Sequence, residues 1–294
     1  MTHPLHRRRV GAAPPPAVTP AAAGWRYAGL RVVELAPGEQ LELAASSCEL
    51  AVLPLAGACR VDCGGERFEL VGRPDVFSRV TDFAYVPRDA VARITSPGGG
   101  RFALPSAEAS VPLAPAYGPA EAVPIEIRGR GPASRQINNF LAPGAFAADR
   151  LIAVEVLTPA GNWSSYPPHK HDQAGPDEAV LEEIYYFEVA RREPGGRRRV
   201  GEGFGLHRLY TTDGAIDLCA EVRHGDVVLV PRGYHGPSVA APGYDLYYLN
   251  VLAGPGSERS MASCDDPAHH WVRASWAHQT ADPRLPMATA AGPG

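Results

Sequence analysis

Apolar positions fall in short runs, mostly four to eight residues long and rich in Val, Leu, Tyr and Phe. Arg31–Leu35, Glu49–Leu55, Phe83–Val86 and Ala90–Ile94 belong to a first series, and a second runs from Leu151 to about Leu252. Glycine (31) and proline (30) interrupt the chain too often for long helices. Short β-prone runs closed by turn residues predict strands, and the chain as a whole reads as all-β.

The two series predict two domains. A lead-in over residues 1–24 is expected to be disordered, since its MTHPLHRRRVGAAPPPAVTP string is polar, basic and proline-rich. It has no continuous apolar region ahead of the prolines, so it does not read as a secretory signal. The first domain is placed at 25–124, ending in a Pro/Ala/Gly-rich linker from Pro105 to Pro124. The second is placed at 125–264, and 265–294 reads as a short helix opened by Asp265-Asp266-Pro267 and followed by coil. The domains look related: Phe83-Ala84-Tyr85-Val86-Pro87-Arg88 parallels Val227-Val228-Leu229-Val230-Pro231-Arg232, and Cys48–Leu53 parallels Glu182–Phe187. A duplicated β-domain accounts for both.

With 294 residues and a formal charge of −4, the chain has length for two cores and no basic footprint for nucleic acid. The run Arg197-Arg198-Arg199 follows Pro194-Gly195-Gly196 and reads as a hairpin tip. No apolar stretch approaches the roughly 18 residues that span a bilayer. Cys48, Cys59, Cys63, Cys219 and Cys264 make no zinc-type CxxC pairs, and their odd number fits reduced core thiols in the cytosol. A homo-oligomer is compatible with this composition, without any indication of copy number.

The histidines are unevenly placed. Of ten, none lies between His6 and His169, and five fall from His169 to His235. His169-Lys170-His171 puts two imidazoles on one face of a strand and Lys170 on the other. Glu182-Glu183 then opens the strand IYYFEV. Glu183 shares a face with Tyr185, Phe187 and Val189, and Glu188 marks the opposite face as outer, so Glu183 points inward. Finally Gly225–His235 supplies a turn, an apolar strand, a tight turn and a third histidine. Three imidazoles and a carboxylate on successive strand ends suit one divalent transition ion per chain: Mn, Zn, Fe or Ni.

HxH, a glutamate at a strand start, then Gly-x5-Pro-x-Gly and a histidine resembles the paired motifs of the cupin superfamily, small jelly-roll barrels that hold a metal inside. Two departures are visible: the loop from His171 to Glu183 is long, and only Tyr234 separates Gly233 from His235. Longer strings resemble the 5-deoxy-glucuronate isomerase family of myo-inositol catabolism: NWSSYPPHKHD (162–172), LEEIYYFEV (181–189), GFGLHRLYT (203–211), GDVVLVPRGYHGPSVAAPGYDLYYLNVLAGP (225–255) and DDPAHHWV (265–272). VFSRVTDFAYVPRDA (76–90) and RGRGPASRQINNFL (128–141) extend the likeness toward the N-terminus. The resemblance implies a bicupin whose metal ligands are His169, His171, Glu183 and His235. Aligning the Val-Pro-Arg ends puts Val91 where His235 stands, so the N-terminal cupin is expected to lack a metal.

The resemblance further implies a cytoplasmic enzyme that converts 5-deoxy-D-glucuronate, a small sugar acid, to 5-dehydro-2-deoxy-D-gluconate. That aldose–ketose isomerisation needs a Lewis acid for the enediolate and a base to move a proton between adjacent carbons. Glu183, His207, Tyr185 and Tyr248 are the candidates for proton transfer, with a hydride shift as the alternative. The substrate carboxylate calls for a guanidinium fork. Arg208 is the first choice, because alternation puts it with Phe204, Leu206 and Tyr210 on a face expected to line the barrel; Arg135 and Arg232 follow. Two rivals share the fold: a dioxygenase using a three-histidine, one-glutamate iron site, and a non-enzymatic sugar-binding bicupin. The polar strings around Tyr185, His207, Arg208 and Tyr248 weigh against the first, and the complete ligand set against the second.

Overall fold

The computed structural model describes residues 3–294. In the N-terminal sheet, Ala28–Leu35 lies beside Gly100–Glu108, which is followed by Cys48–Cys63, Phe83–Val86 and Ala116–Gly118. Cys48–Cys63 also pairs with Glu66–Arg73 and Val91–Thr95, and its register slips at Pro54/Ala56 and Gly57/Cys59. Such irregularities bend a strand, and here the sheet closes over an interior filled by Leu50, Val52, Val61, Val86, Ile94 and Leu104.

The C-terminal strands form two facing sheets. One runs His6–Arg7, Val227–Val230, Glu182–Arg192, Tyr244–Ala253, Ile152–Thr158, Arg135–Asn138 and Ile125–Arg128. The other runs Asp217–Val222, Gly205–Tyr210, Tyr234–Ala240, His169–Lys170 and Cys264–Asp265, with Trp163–Ser164 on Tyr234–Ala240. Tyr185, Phe187, Val189, Leu209, Val228 and Tyr248 pack between them. The other face of the first sheet, through Ile184, Tyr186, Tyr247, Leu249 and Val251, packs on Leu30, Val32, Ala51, Leu53 and Leu55 of the N-terminal domain. The two barrels therefore stand back to back, and the strands between them are apolar on both faces.

This packing corrects one expectation. Glu183, Tyr185, Phe187 and Val189 do face the barrel interior, but Glu188 is fully buried on the opposite face. It accepts hydrogen bonds from Arg101 (2.6 Å) and Tyr186 (2.9 Å). The face is the outside of one barrel and the inside of the molecule.

Three segments depart from the expected organisation. Residues 3–24 are ordered: His6–Arg7 extend a sheet by pairing with Val227–Val228, His6 Nε2 lies 3.1 Å from Asp226, and Thr19 caps the short helix Pro20–Ala23. The Pro105–Pro124 stretch is partly sheet: Pro105 lies in the strand Gly100–Glu108, and Ala116–Gly118 pairs with Phe83–Tyr85. Past the helix Val272–Ser275, the tail returns between the barrels and buries Met287 and Ala288, whose backbone N–H groups Gln136 accepts. Strand edges and exposed backbone donors recruit these polar segments, which hydropathy leaves as coil. Of the cysteines, Cys59 and Cys63 are buried and Cys219 is exposed, so only some are core thiols.

Two carboxylates fasten the barrels reciprocally. Glu49 of the N-terminal barrel accepts from the backbone N–H of Asp149 (2.8 Å), Arg150 (2.6 Å) and Leu151 (2.6 Å), and from the Tyr85 hydroxyl (2.5 Å). Glu182 of the C-terminal barrel accepts from Arg26 (2.8 Å), Tyr27 (2.7 Å) and Ala28 (2.8 Å). Each receives successive N–H groups at the head of a strand of the other barrel, Ile152–Thr158 for Glu49 and Ala28–Leu35 for Glu182. Glu49→Leu leaves the buried Leu151 N–H and Tyr85 hydroxyl without their acceptor, at about 1–3 kcal/mol each. The expected outcome is a lowered denaturant midpoint, much larger than for Glu66→Leu in the exposed first position of Glu66–Arg73.

Candidate metal centre and substrate cavity

His169, His171, Glu183 and His235 come from three neighbouring parts of the C-terminal barrel. His235 lies opposite His169 across a strand pair, and Glu183 opposite Val230. The tight turn before His235 depends on Gly233, which has φ +95° and would place a Cβ 2.6 Å from the Tyr210 carbonyl oxygen. His171, Glu183 and His235 are buried, and one candidate ligand atom from each lies within 4.8 Å of the others. His171 Nε2 and His235 Nε2 both stand 2.9 Å from Glu183 Oε2, the first as a hydrogen bond and the second without that geometry. Donor atoms at 2.0–2.2 Å from an octahedral ion sit about 2.8–3.1 Å from their neighbours.

The other ring nitrogens are already committed. Nδ1 of His169 lies 3.2 Å from the Pro167 carbonyl oxygen, that of His171 3.2 Å from Leu181 and that of His235 3.1 Å from Gly233. A backbone carbonyl at Nδ1 puts the proton there and turns the Nε2 lone pair toward the shared point, as metal-binding imidazoles require. His235 Nε2 is buried without a hydrogen-bond partner. This donor set fits a borderline divalent ion. His169 stands beside the other three residues, its ring centroid 4.5 Å from that of His235, but it does not join their 4.8 Å group. Burial, then the neighbouring His235, holds its imidazole well below its ordinary range and so neutral. Burial alone would raise the Glu183 carboxyl, but His235 and His171 outweigh it and hold the group well below the carboxylate range.

A cavity of about 130 Å³ opens on this cluster. His169, His171, Glu183, Tyr185 and Tyr248 line it, together with Arg128 and Arg135. Ser165 Oγ joins the hydroxyls of Tyr185 (3.2 Å) and Tyr248 (2.9 Å). Burial pushes both phenols up, well above the ordinary value for Tyr185, so both keep their protons. His207 is buried behind the wall and does not line the cavity. Its Nδ1 lies 2.8 Å from Ser238 Oγ, its ring packs on Tyr185, and burial lowers it to about 3.

The guanidinium candidates separate cleanly. On Gly205–Tyr210 it is His207 and Leu209 that face inward, whereas Leu206 is 40% exposed and Arg208 is only partly covered. Arg208 reaches Asp217 and the Leu218 carbonyl on the outer surface, stacked 4.9 Å from Tyr210. The expected inward face was the outward one, because apolar Leu206 and Phe204 were counted as core. Arg232 is half exposed, pairs with Asp213 at 3.0 Å and does not line the cavity. Arg135 is 4% exposed, and its side-chain hydrogen bonds go to the Ala133 and Tyr166 carbonyls, with no carboxylate. Burial, with Arg128 and Arg273 nearby, lowers it to about 10. Arg128 and Asn250, whose Nδ2 donates to Glu183 Oε1 at 2.5 Å, were not expected from sequence. Both lie within strings quoted above, but nothing in their own spacing marks them.

The KduI/IolB family matches residues 5–272. The chain belongs to the KduI/IolB family. It is similar to a 5-deoxy-glucuronate isomerase from Geobacillus kaustophilus, 43% identical over 88% of this chain and 90% of that one. The Bacillus subtilis (strain 168) 5-deoxy-glucuronate isomerase is 38% identical over 87% and 91%. The crystal structure of an IolB-like protein from Salmonella typhimurium superposes with a TM-score of 0.83 at 33% identity, covering 91% of this chain and 98% of that one. Bacillus subtilis oxalate decarboxylase, in a structure whose subject is its Mn(II) centers, gives 0.55 at 15% identity over 82% and 71%, a likeness of fold. The KduI/IolB chain is thus an all-β protein of cupin type.

On this geometry Arg208→Ala removes a surface ion pair and nothing from the cavity. Turnover is expected to stay at the wild-type level, with a stability loss of about 0–1 kcal/mol. A steep loss of kcat/KM would put Arg208 back in the site.

Proposed function

We propose that the C-terminal barrel isomerises 5-deoxy-D-glucuronate to 5-dehydro-2-deoxy-D-gluconate, with one divalent transition ion on His171, Glu183 and His235 and His169 as the fourth ligand. The observation that carries this reading is that one cavity joins the His/Glu cluster to Arg135, a buried guanidinium without a carboxylate partner. A sugar acid has a carbonyl at one end and an anion at the other. It supplies what both ends of this cavity lack.

When bound, the ion supplies Lewis-acid stabilisation of the developing enediolate, worth several kcal/mol. Arg135 binds the distal carboxylate and so orients the chain of carbons toward Glu183. Among the residues lining the cavity Glu183 is the one carboxylate. Its Oε1, turned from the histidines and steadied by Asn250, takes the proton from C2 and returns it to C1. Tyr185 and Tyr248, linked through Ser165, remain protonated and donate hydrogen bonds to the substrate oxygens, moving the hydroxyl proton between O1 and O2. His207 supports Tyr185 from behind. The dioxygenase reading has no comparable support, since its substrate would leave Arg135 unpaired.

Arg135→Ala is expected to lower kcat/KM on the sugar acid by about 2–5 kcal/mol and to change activity on the uncharged 5-deoxy aldose far less. Equal losses on both would remove Arg135 from carboxylate recognition. Elemental analysis is expected to find one tightly held ion per chain, lost in His235→Ala. An oxygen electrode should record no consumption during turnover.

A further inference from the structure

Lys170 lies between two of the histidines and points away from the cluster, and what it holds there has a consequence for His235. Lys170 Nζ contacts Asp172 Oδ1 at 2.9 Å and both oxygens of Glu178 at 2.8 Å. Glu178 also accepts from the backbone N–H of Asp172 (2.7 Å) and Gln173 (2.9 Å), which closes the hairpin of Asp172–Gly175 and Glu178–Val180. That leaves Asp172 Oδ2, which accepts from the backbone N–H of Gly233 at 2.7 Å. Gly233 then offers its own carbonyl oxygen to His235 Nδ1 at 3.1 Å.

We propose that Asp172 is a positioning residue for His235, acting through Gly233. The residue that follows His171 in the chain grips the glycine whose carbonyl aims the third imidazole, so one carboxylate ties two ligand-bearing segments into one geometry. Gly233 lacks a side chain to hold its orientation, and its φ of +95° is open only to a residue without one. Asp172 therefore fixes the N–H side of Gly233, one residue ahead of the strand Tyr234–Ala240 that carries His235. Lys170 bridges the Asp172 and Glu178 carboxylates beside this contact. The side chains of all three are between 7% and 18% exposed, so the network is shielded from most solvent. Outer-shell partners of this kind are worth about 10–100-fold in metal affinity.

This inference rests on the metal reading above, and binding rather than turnover tests it. Zn(II) is titrated into metal-free protein against a chromogenic chelator, for wild type, Asp172→Ala and Asp172→Asn. Asp172→Ala is expected to bind Zn(II) about 10–100-fold more weakly, and its Co(II) form to show a shifted visible spectrum. Asp172→Asn retains an oxygen for the Gly233 N–H, so it should recover most of the affinity although it cannot pair with Lys170. A role confined to the hairpin would give the reverse, with Lys170→Met as damaging as Asp172→Ala and no rescue by Asn. Wild-type affinity and spectrum in folded Asp172→Ala would overturn the positioning role alone. Failure of the wild type to bind Zn(II) or Co(II) would overturn the metal reading and this inference with it. If Asp172→Ala does not fold, Asp172→Ser, too short to reach Gly233, is read by the same criteria.

Discussion

The sheet containing Glu182–Arg192 and Tyr244–Ala253 is covered on both faces, and the rest of the molecule is arranged around that fact. Its inner face lines the barrel that holds the cluster; its outer face is the floor of the N-terminal domain. Strands buried on both sides cannot carry ordinary solvent-facing polar residues. Each that remains is bound: Glu155 with Arg73, Tyr247 (2.8 Å) and Asn138 (3.1 Å), and Glu188 with Arg101 and Tyr186. Removing one member of such a pair strands a buried charge, so the interface is specific as well as apolar. Glu49 and Glu182 add to this, each collecting the N–H groups at the head of a strand of the other barrel.

This backing stiffens the wall from which Glu183 and Tyr185 project. The facing sheet supplies His169 and His235, with His171 one residue past its strand, and all three rings are held from Nδ1 by backbone carbonyls rather than by mobile side chains. Orientation is thereby settled before any ligand arrives, which lowers the ordering cost of binding. Two imidazole nitrogens around one buried carboxylate oxygen, and a guanidinium without an anion across the same cavity, both lack what a low-dielectric site demands. The cavity lining combines one carboxylate and two imidazoles with the guanidinium groups of Arg128 and Arg135.

The N-terminal barrel shows the same scaffold without that chemistry. Leu50, Val52, Val86 and Leu104 fill its interior, while Val91, in the position paired with His235 by the Val-Pro-Arg alignment, is 55% exposed. Glu49, which the Cys48–Leu53 parallel sets beside Glu183, is turned to the backbone of Asp149–Leu151. The N-terminal half thus serves docking, and the His/Glu cluster and its cavity lie in the C-terminal half.

The all-β class, the inward direction of Glu183 and the gathering of His171, Glu183 and His235 were legible because they depend on local spacing. Alternation sets faces, and strand–turn–strand order sets which ends meet. The same alternation misled where a face is covered by another part of the chain. Glu188 read as exposed because nothing local reveals a second barrel, and Arg208 read as buried because its neighbours Leu206 and Phe204 are apolar, though Leu206 is left on the surface. The lead-in and the tail read as coil because their order comes from strand edges and donors contributed by distant residues. Only the tertiary structure decided which guanidinium meets the cavity. Arg135, Arg208 and Arg232 are chemically alike in sequence, and they differ in whether a carboxylate already answers them: Asp217 for Arg208, Asp213 for Arg232, and for Arg135 only carbonyl oxygens.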